Sequence, residues 1–310
     1  MNLFATVLTN TAPSANYRGE SAENRAVIQK ITRGRFEYAI ISPEAMRNAI
    51  RETLCALKLP CNRKRLHDEE QLAVKFLDYP DADRFADDFF MGWLVAAGSA
   101  DRKKIRDELK KNGRNPDLFT FKRDSVLRMN MAVALEAYRH DSVFTQSPQN
   151  VDSPWKNADS SQLLHRETAV TAFQYPFALN LEDCRAKADW TRVLLKAIGQ
   201  LNDVAGNHAR SYFEMAPASV VVRLTPQLVA GYDTYGFTID EGGSHRLPEI
   251  VEGLRKGDYA GGEFYLGGKL VKDMDEVTQK ELEGKKKVTL DRNPQRLLAA
   301  VAEKAFPTAK

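Results

Sequence analysis

The chain has 310 residues, 43% of them hydrophobic, with a formal charge of +3 and a pI of about 8.6. That length allows one large or two ordinary domains with a sizeable core, and so small a net charge does not by itself argue for nucleic acid. No apolar run approaches the roughly 20 residues that span a bilayer, and three irregularly spaced cysteines (Cys55, Cys61, Cys184) exclude a disulfide framework or a four-ligand zinc site. Such cysteine usage suits a reducing cytoplasm, and the N-terminus lacks the basic leader of a signal peptide.

Residues 2–9 predict a first strand. Residues 10–26, with Asn10, Pro13, Ser14, Asn16 and Gly19, predict a loop, and 27–41 one or two further strands. Phe36 to Ile41 runs into a helix over 43–58. Ser42 suits its N-cap, Pro43 its first turn, and Met46, Ala49, Ile50, Leu54 and Leu57 recur as an apolar stripe. Arg47, Arg51 and Lys58 fall on another face, and between Arg18 and Arg51 seven Arg or Lys stand against four Glu. A helix N-terminus beside stacked arginines suits phosphate. The same residues equally suit a capped helix with ordinary ion pairs to Glu37 and Glu44. No glycine-rich fingerprint follows the first strand, which argues against a dinucleotide fold.

From about 60 to 138 the spacing predicts helices at Glu69–Leu77, Phe85–Ala97, Ala100–Lys111 and Ser125–Tyr138. Asp81, Asp83, Asp87 and Asp88 read as helix-start charges rather than metal ligands. Residues 141–168 are polar and long for a plain connection. They hold Trp155, His165 and Arg166, and a tryptophan in so polar a segment favours contact with something. The segment reads either as a surface loop or as a protruding hairpin that wedges into a nucleic-acid strand or grips a neighbour. Then come a strand at Ala169–Leu181, a helix at Arg185–Asn202, and a turn at Gly206–Arg210. In that turn Asn207, His208 and Arg210 either cap the helix or offer donors to phosphate. Strands at 219–224 and 234–239, a helix at 247–255, a hairpin at 261–271 and a helix at 295–305 complete the chain. The five histidines show no Ser-His-Asp or Cys-His grouping. The element order is compatible with a β-α-β-β-α-β ferredoxin-like core carrying large insertions.

The stretch Tyr38-Ala-Ile-Ile-Ser-Pro-Glu-Ala-Met-Arg-Asn-Ala-Ile-Arg51 resembles the strand–Ser–helix–Arg segment of CRISPR backbone subunits, in particular the DevR-like group of type I interference complexes (Cascade), type I-B or I-A. Phe89-Phe-Met-Gly-Trp93, after an acidic run, resembles that group's helical insert, and the Gly206–Arg210 turn falls in the order the group shows. The resemblance implies an α+β fold: a modified RRM (ferredoxin-like) core, a single 1–310 palm domain, with a helical finger insertion over about 59–140 and a long thumb hairpin over about 141–168. It implies a non-catalytic, cytoplasmic protein with no cofactor and no metal. Such a protein oligomerises along a guide RNA (crRNA) and presents it to a target DNA strand in CRISPR interference or RNA-guided transposition. Its implied partners are other copies of itself and the other Cascade subunits: large, small, 5′-handle-binding and processing-nuclease. The implied RNA contacts are Asn16, Tyr17, Arg18, Ser42, Arg47, Arg51, Trp155, His165, Arg166, Asn207, His208 and Arg210. Glu44 stands where the group often has Gln, and is not counted. Two rival classes are a metal-dependent endoribonuclease of a type III-like complex, with Asp141 or Asp152 as its loop aspartate, and a DNA-binding regulator, for which no helix-turn-helix with a basic recognition helix is evident.

Overall fold

The computed structural model describes residues 1–14, 17–22, 25–65, 74–146, 163–202, 204 and 212–307. The chain divides into two compact units, Met1–Thr53 with Met129–Lys310, and Leu54–Arg128. The main strands are β1 (Asn2–Leu8), β2 (Tyr17–Ala22), β3 (Arg25–Ile28), β4 (Lys30–Arg33), β5 (Phe36–Ile41), β6 (Ala132–Ala134), β7 (Ser142–Gln146), β8 (Leu163–Glu167), β9 (Phe173–Asn180), β10 (Ser219–Thr225), β11 (Phe264–Gly268) and β12 (Thr289–Asp291). The main helices are α1 (Pro43–Ala56), α2 (Ala86–Met91), α3 (Ser99–Lys111), α4 (Ala188–Gly199), α5 (Pro248–Lys256) and α6 (Pro294–Ala305).

The first unit is built on a mixed sheet of order β12-β11-β10-β1-β9-β6-β5-β4, in which β11 and β12 are parallel and the other listed neighbours antiparallel. The architecture is α+β. At its centre Ala5 lies opposite Phe177 and Val222, and Val7 opposite Tyr175 and Val220. Val220, Val221 and Val222 are fully buried, which explains why β10 is an unbroken β-branched run: both faces of the strand are covered. Val221 packs in one cluster with Ile250 and Leu254 of α5, Phe237 and Phe264. Val220 faces the other way. A Cβ at Gly267 would sit 3.2 Å from Val220 and 2.8 Å from Leu297 of α6, so β11 has room only for glycine there. Each such buried aliphatic side chain contributes about 1.5–3 kcal/mol. A second, four-stranded sheet has the order β7-β8-β3-β2.

Several expectations are corrected. The predicted loop over 10–26 contains strands instead: Ala12–Ser14 pairs with Ala169–Thr171, and β2 and β3 join β8. β2 pairs with the adjacent β3, but the partners of Ala12–Ser14 and the outer partner of β3 lie some 140 residues or more away, beyond any local pattern. The expected helix over 125–138 is absent, because Ala132 and Val133 pair with Ile41 and Ile40 of β5 and are buried there. Of the expected 69–77 helix, Val74–Phe76 is a strand paired with Arg63–Arg65, and residues 69–73 lie outside the described residues. The 85–97 helix stops at Met91. Gly92 has φ of 62°, and a Cβ there would lie 2.2 Å from the Arg123 carbonyl oxygen, so the close approach ends the helix. The 261–271 hairpin is β11 followed by a turn of helix at Lys269–Lys272, and the strand at 234–239 shrinks to Thr238–Ile239.

Asp87 and Asp88 are more than helix-start charges. Both are fully buried. Asp87 accepts from the Asn62 and Arg63 amides at 2.8 and 3.0 Å, and Asp88 from the Asn62 side chain, the Asp81 amide and Arg63 at 2.8, 3.0 and 3.2 Å. They tie two loops of the second unit to α2, and desolvation raises the Asp88 carboxyl above the usual range. Among the described residues, no group of three His, Cys, Asp or Glu is placed to hold a metal ion, and no helix is long and apolar enough to cross a membrane.

Candidate nucleic-acid interface

Strand β5 delivers the chain to α1 as the sequence suggests. Ser42 Oγ accepts the Ala45 amide at 3.2 Å, and the Ser42 carbonyl accepts Met46 N at 3.1 Å, so Ser42 is the N-cap. Met46, Ala49, Ile50 and Leu54 are at most 2% exposed and anchor the helix, while Leu57 lies past its end, where Lys58 takes φ of 69°. This leaves the other side of the first turn for function. Glu44 is exposed and Arg47 half-buried. Arg51 is 2% exposed and donates to Asn48 Oδ1 at 2.9 Å. It braces α1 from inside and presents no guanidinium to solvent, so the expected surface stack of Arg47 and Arg51 is reduced to Arg47.

The second group is the β7–β8 hairpin. Phe144 lies opposite His165 in the antiparallel register, with ring centroids 5.2 Å apart in a T-shaped contact, and Val143 lies opposite Arg166. Val143 and Phe144 are each more than half exposed, His165 is exposed and Arg166 half-buried. The hairpin therefore carries an aromatic pair on one face and a cation on the other. Its parallel neighbour β3 is followed in the sheet by β2, which brings the backbone of Tyr17 and Arg18 into the same four-stranded sheet.

What holds this hairpin in place was not among the residues expected from sequence. Glu167, at the end of β8, is buried, and its carboxylate accepts from the Ile28 amide and the Lys30 ammonium, both at 3.3 Å. Lys30 also lies 3.9 Å from Glu37 and 4.2 Å from the centre of the Tyr138 ring. Burial, and then the Glu167 charge, push the Tyr138 hydroxyl up to about 12. Thr168 N donates to the Asp141 carbonyl at 3.0 Å, closing the base. Lys30 and Glu167 are 137 residues apart, so only the fold brings them together. Asn16, Trp155, Asn207, His208 and Arg210 lie outside the described residues, as does Asp152.

The arrangement defines a class: an α+β protein whose strand-to-helix turn and anchored hairpin present polar, cationic and aromatic groups to solvent. Its fold is shared end to end with chains of two solved assemblies. One is a "CRISPR RNA-guided surveillance complex, pre-nicking" (TM-score 0.60, 11% identity, 99% of this chain and 100% of that one), and the other a "CRISPR RNA-guided surveillance complex" (TM-score 0.54, 12% identity, the same coverage). In sequence, the chain is similar to the CRISPR-associated protein Cas7/Cst2/DevR of Myxococcus xanthus (strain DK1622), at 28% identity over 294 residues, 92% of either protein. The resemblance to DevR-like CRISPR proteins read from the sequence is thereby borne out. No protein-family model matches the chain.

Proposed function

We propose that this protein is a guide-RNA-binding backbone subunit of a CRISPR interference complex, which repeats along the crRNA and presents it for pairing. The observation that carries the reading is similarity to a Cas7/Cst2/DevR protein over 92% of the chain, together with a fold shared over 99% of it with chains of RNA-guided surveillance complexes. On this reading the mixed sheet is a modified RRM-like palm, about 59–140 the finger insertion, and about 141–168 the thumb, held at its base by Glu167. Ser42, Arg47, His165 and Arg166 are the described groups offered to the RNA, and Tyr17 and Arg18, whose backbone lies in β2, are candidates beside them. Asn16, Trp155, Asn207, His208 and Arg210 join them as candidates. The partners are crRNA, further copies of the chain and other subunits of the complex, with target DNA reached through pairing. The protein performs no cleavage of its own: discrimination is left to base pairing while the protein tracks the backbone.

The test is to purify the complex from its host and to extract and size its nucleic acid. One discrete short RNA species is expected. Nucleic acid of random length, or none, overturns the reading, and divalent-metal-dependent cutting of a paired target RNA by the purified chain overturns its non-catalytic part.

A further inference from the structure

None of the contacts assigned so far involves the tip of the β4–β5 hairpin. Arg33 pairs with Phe36 across a two-residue turn, Gly34-Arg35. Gly34 has φ of 64° and Arg35 does not share the left-handed region, the pattern of a type II′ turn. Such a turn is rigid, and this one is solvent-facing throughout: Arg33, Gly34 and Arg35 are exposed and Phe36 is 54% exposed. The Arg35 guanidinium lies 6.0 Å from the Phe36 ring centre, at the outer limit of a cation–π contact, so it does not cover the ring. On the far side of β5 the Tyr138 amide donates to the Glu37 carbonyl at 2.7 Å, which brings the exposed Arg139 beside the same end of the strand. Among the described residues Arg33, Arg35 and Arg139 have no salt bridge, and the adjacent Glu37 already lies 3.9 Å from Lys30.

We propose that this tip is a second RNA-contacting site, in which Phe36 stacks on an unpaired base and Arg33, Arg35 and Arg139 hold the flanking phosphates. It rests on the RNA-holding reading above and extends it to residues that reading does not use. An exposed ring with Arg33 across the strand pair and Arg35 beside it suits single-stranded nucleic acid, whose bases offer a π-face and whose backbone offers charge. A protein partner would need exposed apolar surface around the ring; on the face that Phe36 shares, its cross-strand neighbour Arg33 is exposed and the next pair, Ile31 and Tyr38, is half-buried. The tip is six residues along β5 from Ser42, about 20 Å in an extended strand, so the two sites engage different nucleotides.

The experiment measures binding of the full chain to a fluorescein-labelled, unstructured 30-nucleotide RNA, and to DNA of the same sequence, across a salt series. Phe36→Leu is expected to weaken RNA binding roughly tenfold, with Phe36→Trp restoring it. Arg33→Ala/Arg35→Ala/Arg139→Ala is expected to reduce the slope of log K against log salt by about 2. Because all four side chains are exposed, thermal midpoints should match the wild type; if the triple variant does not fold, Phe36→Leu and Arg33→Ala alone carry the test. Wild-type RNA binding with unchanged affinity and slope in the variants overturns this site and leaves the backbone-subunit reading standing. Losses confined to DNA, or to association between copies of the chain, also overturn it. A wild-type chain that takes no RNA overturns both.

Discussion

His245 makes the first unit sensitive to acid by an amount the structure specifies. The ring is 2% exposed, and its Nδ1 lies 2.8 Å from Ser219 Oγ. Ser219 Oγ itself accepts the Leu270 amide at 2.8 Å and can donate its hydroxyl proton to Nδ1 of the neutral ring in its Nε2–H tautomer. Burial first, and the Lys269 ammonium second, bring the imidazole from 6.5 down to about 4, while Asp273, whose carboxylate accepts the His245 amide at 2.9 Å, opposes them. Between those pH values the unfolded chain takes up a proton that the native one refuses. The stabilisation is therefore complete above pH 6.5 and drains away as pH falls toward 4, for a total of about 3 kcal/mol. Replacing His245 with Asn keeps an acceptor for Ser219 and removes the titration. Urea midpoints of the two proteins at pH 7.0 and 4.5 provide the measurement, since carboxylates titrate in both and cancel in the difference. Wild type is expected to lose about 2.5 kcal/mol more than His245→Asn by pH 4.5. Equal losses, within about 0.5 kcal/mol, would refute the neutral, Ser219-bonded imidazole.

The Lys30–Glu167 pair should couple measurably. A double-mutant cycle of Lys30→Met and Glu167→Gln is expected to give about 1–2 kcal/mol, less than a fully buried pair because Lys30 keeps Glu37 nearby. Hydrogen exchange over residues 25–30 reads it locally, and a coupling near zero would mean the hairpin base is held by its backbone alone. Ser42→Ala should cost about 1 kcal/mol through the lost Ala45 bond and loosen exchange in the first turn of α1, and protection equal to wild type there would remove Ser42 from the capping role.

Where the sequence could be read locally, it was read well. The Ser42-Pro43 start of α1 needs only a hydroxyl, a proline and a four-residue apolar period, all within one segment. The same is true of α3 and α6, whose ends fall within a residue of expectation. Several of the misses arise from pairing across large sequence separations, while Val74–Phe76 and β2 pair with strands close by. Ala12–Ser14 and β2 carry too few β-branched residues to announce strands; Ala169–Thr171 completes the hydrogen bonds of the first, and β3, itself paired with β8, those of the second. The segment 125–138 has helical spacing, yet β5 claims Ala132 and Val133. At the candidate site the failure is of another kind. Helical spacing places Arg47 and Arg51 on one side of α1 but cannot say that this side curves into the fold at Arg51, where Asn48 waits for its guanidinium.

On the proposed function, the burial of Arg51 bears on how the chain would hold RNA. A binder that acts once needs many cations, and a net charge of +3 supplies no large surplus. A subunit that repeats along one strand needs few per copy, because each further copy binds a strand already held close by its neighbours, and the contributions of modest contacts accumulate. What each copy then requires is geometry: a turn fixed by Ser42, a hairpin whose base is locked by Glu167 against Lys30 and the Ile28 amide, and a tip at Gly34 too short to bend. Rigid presentation lowers the ordering cost at every contact. On the proposed reading, Glu167, buried at the base of the β7–β8 hairpin, supplies rigidity, and Arg33 and Arg35, exposed at the tip of the β4–β5 hairpin, supply contact.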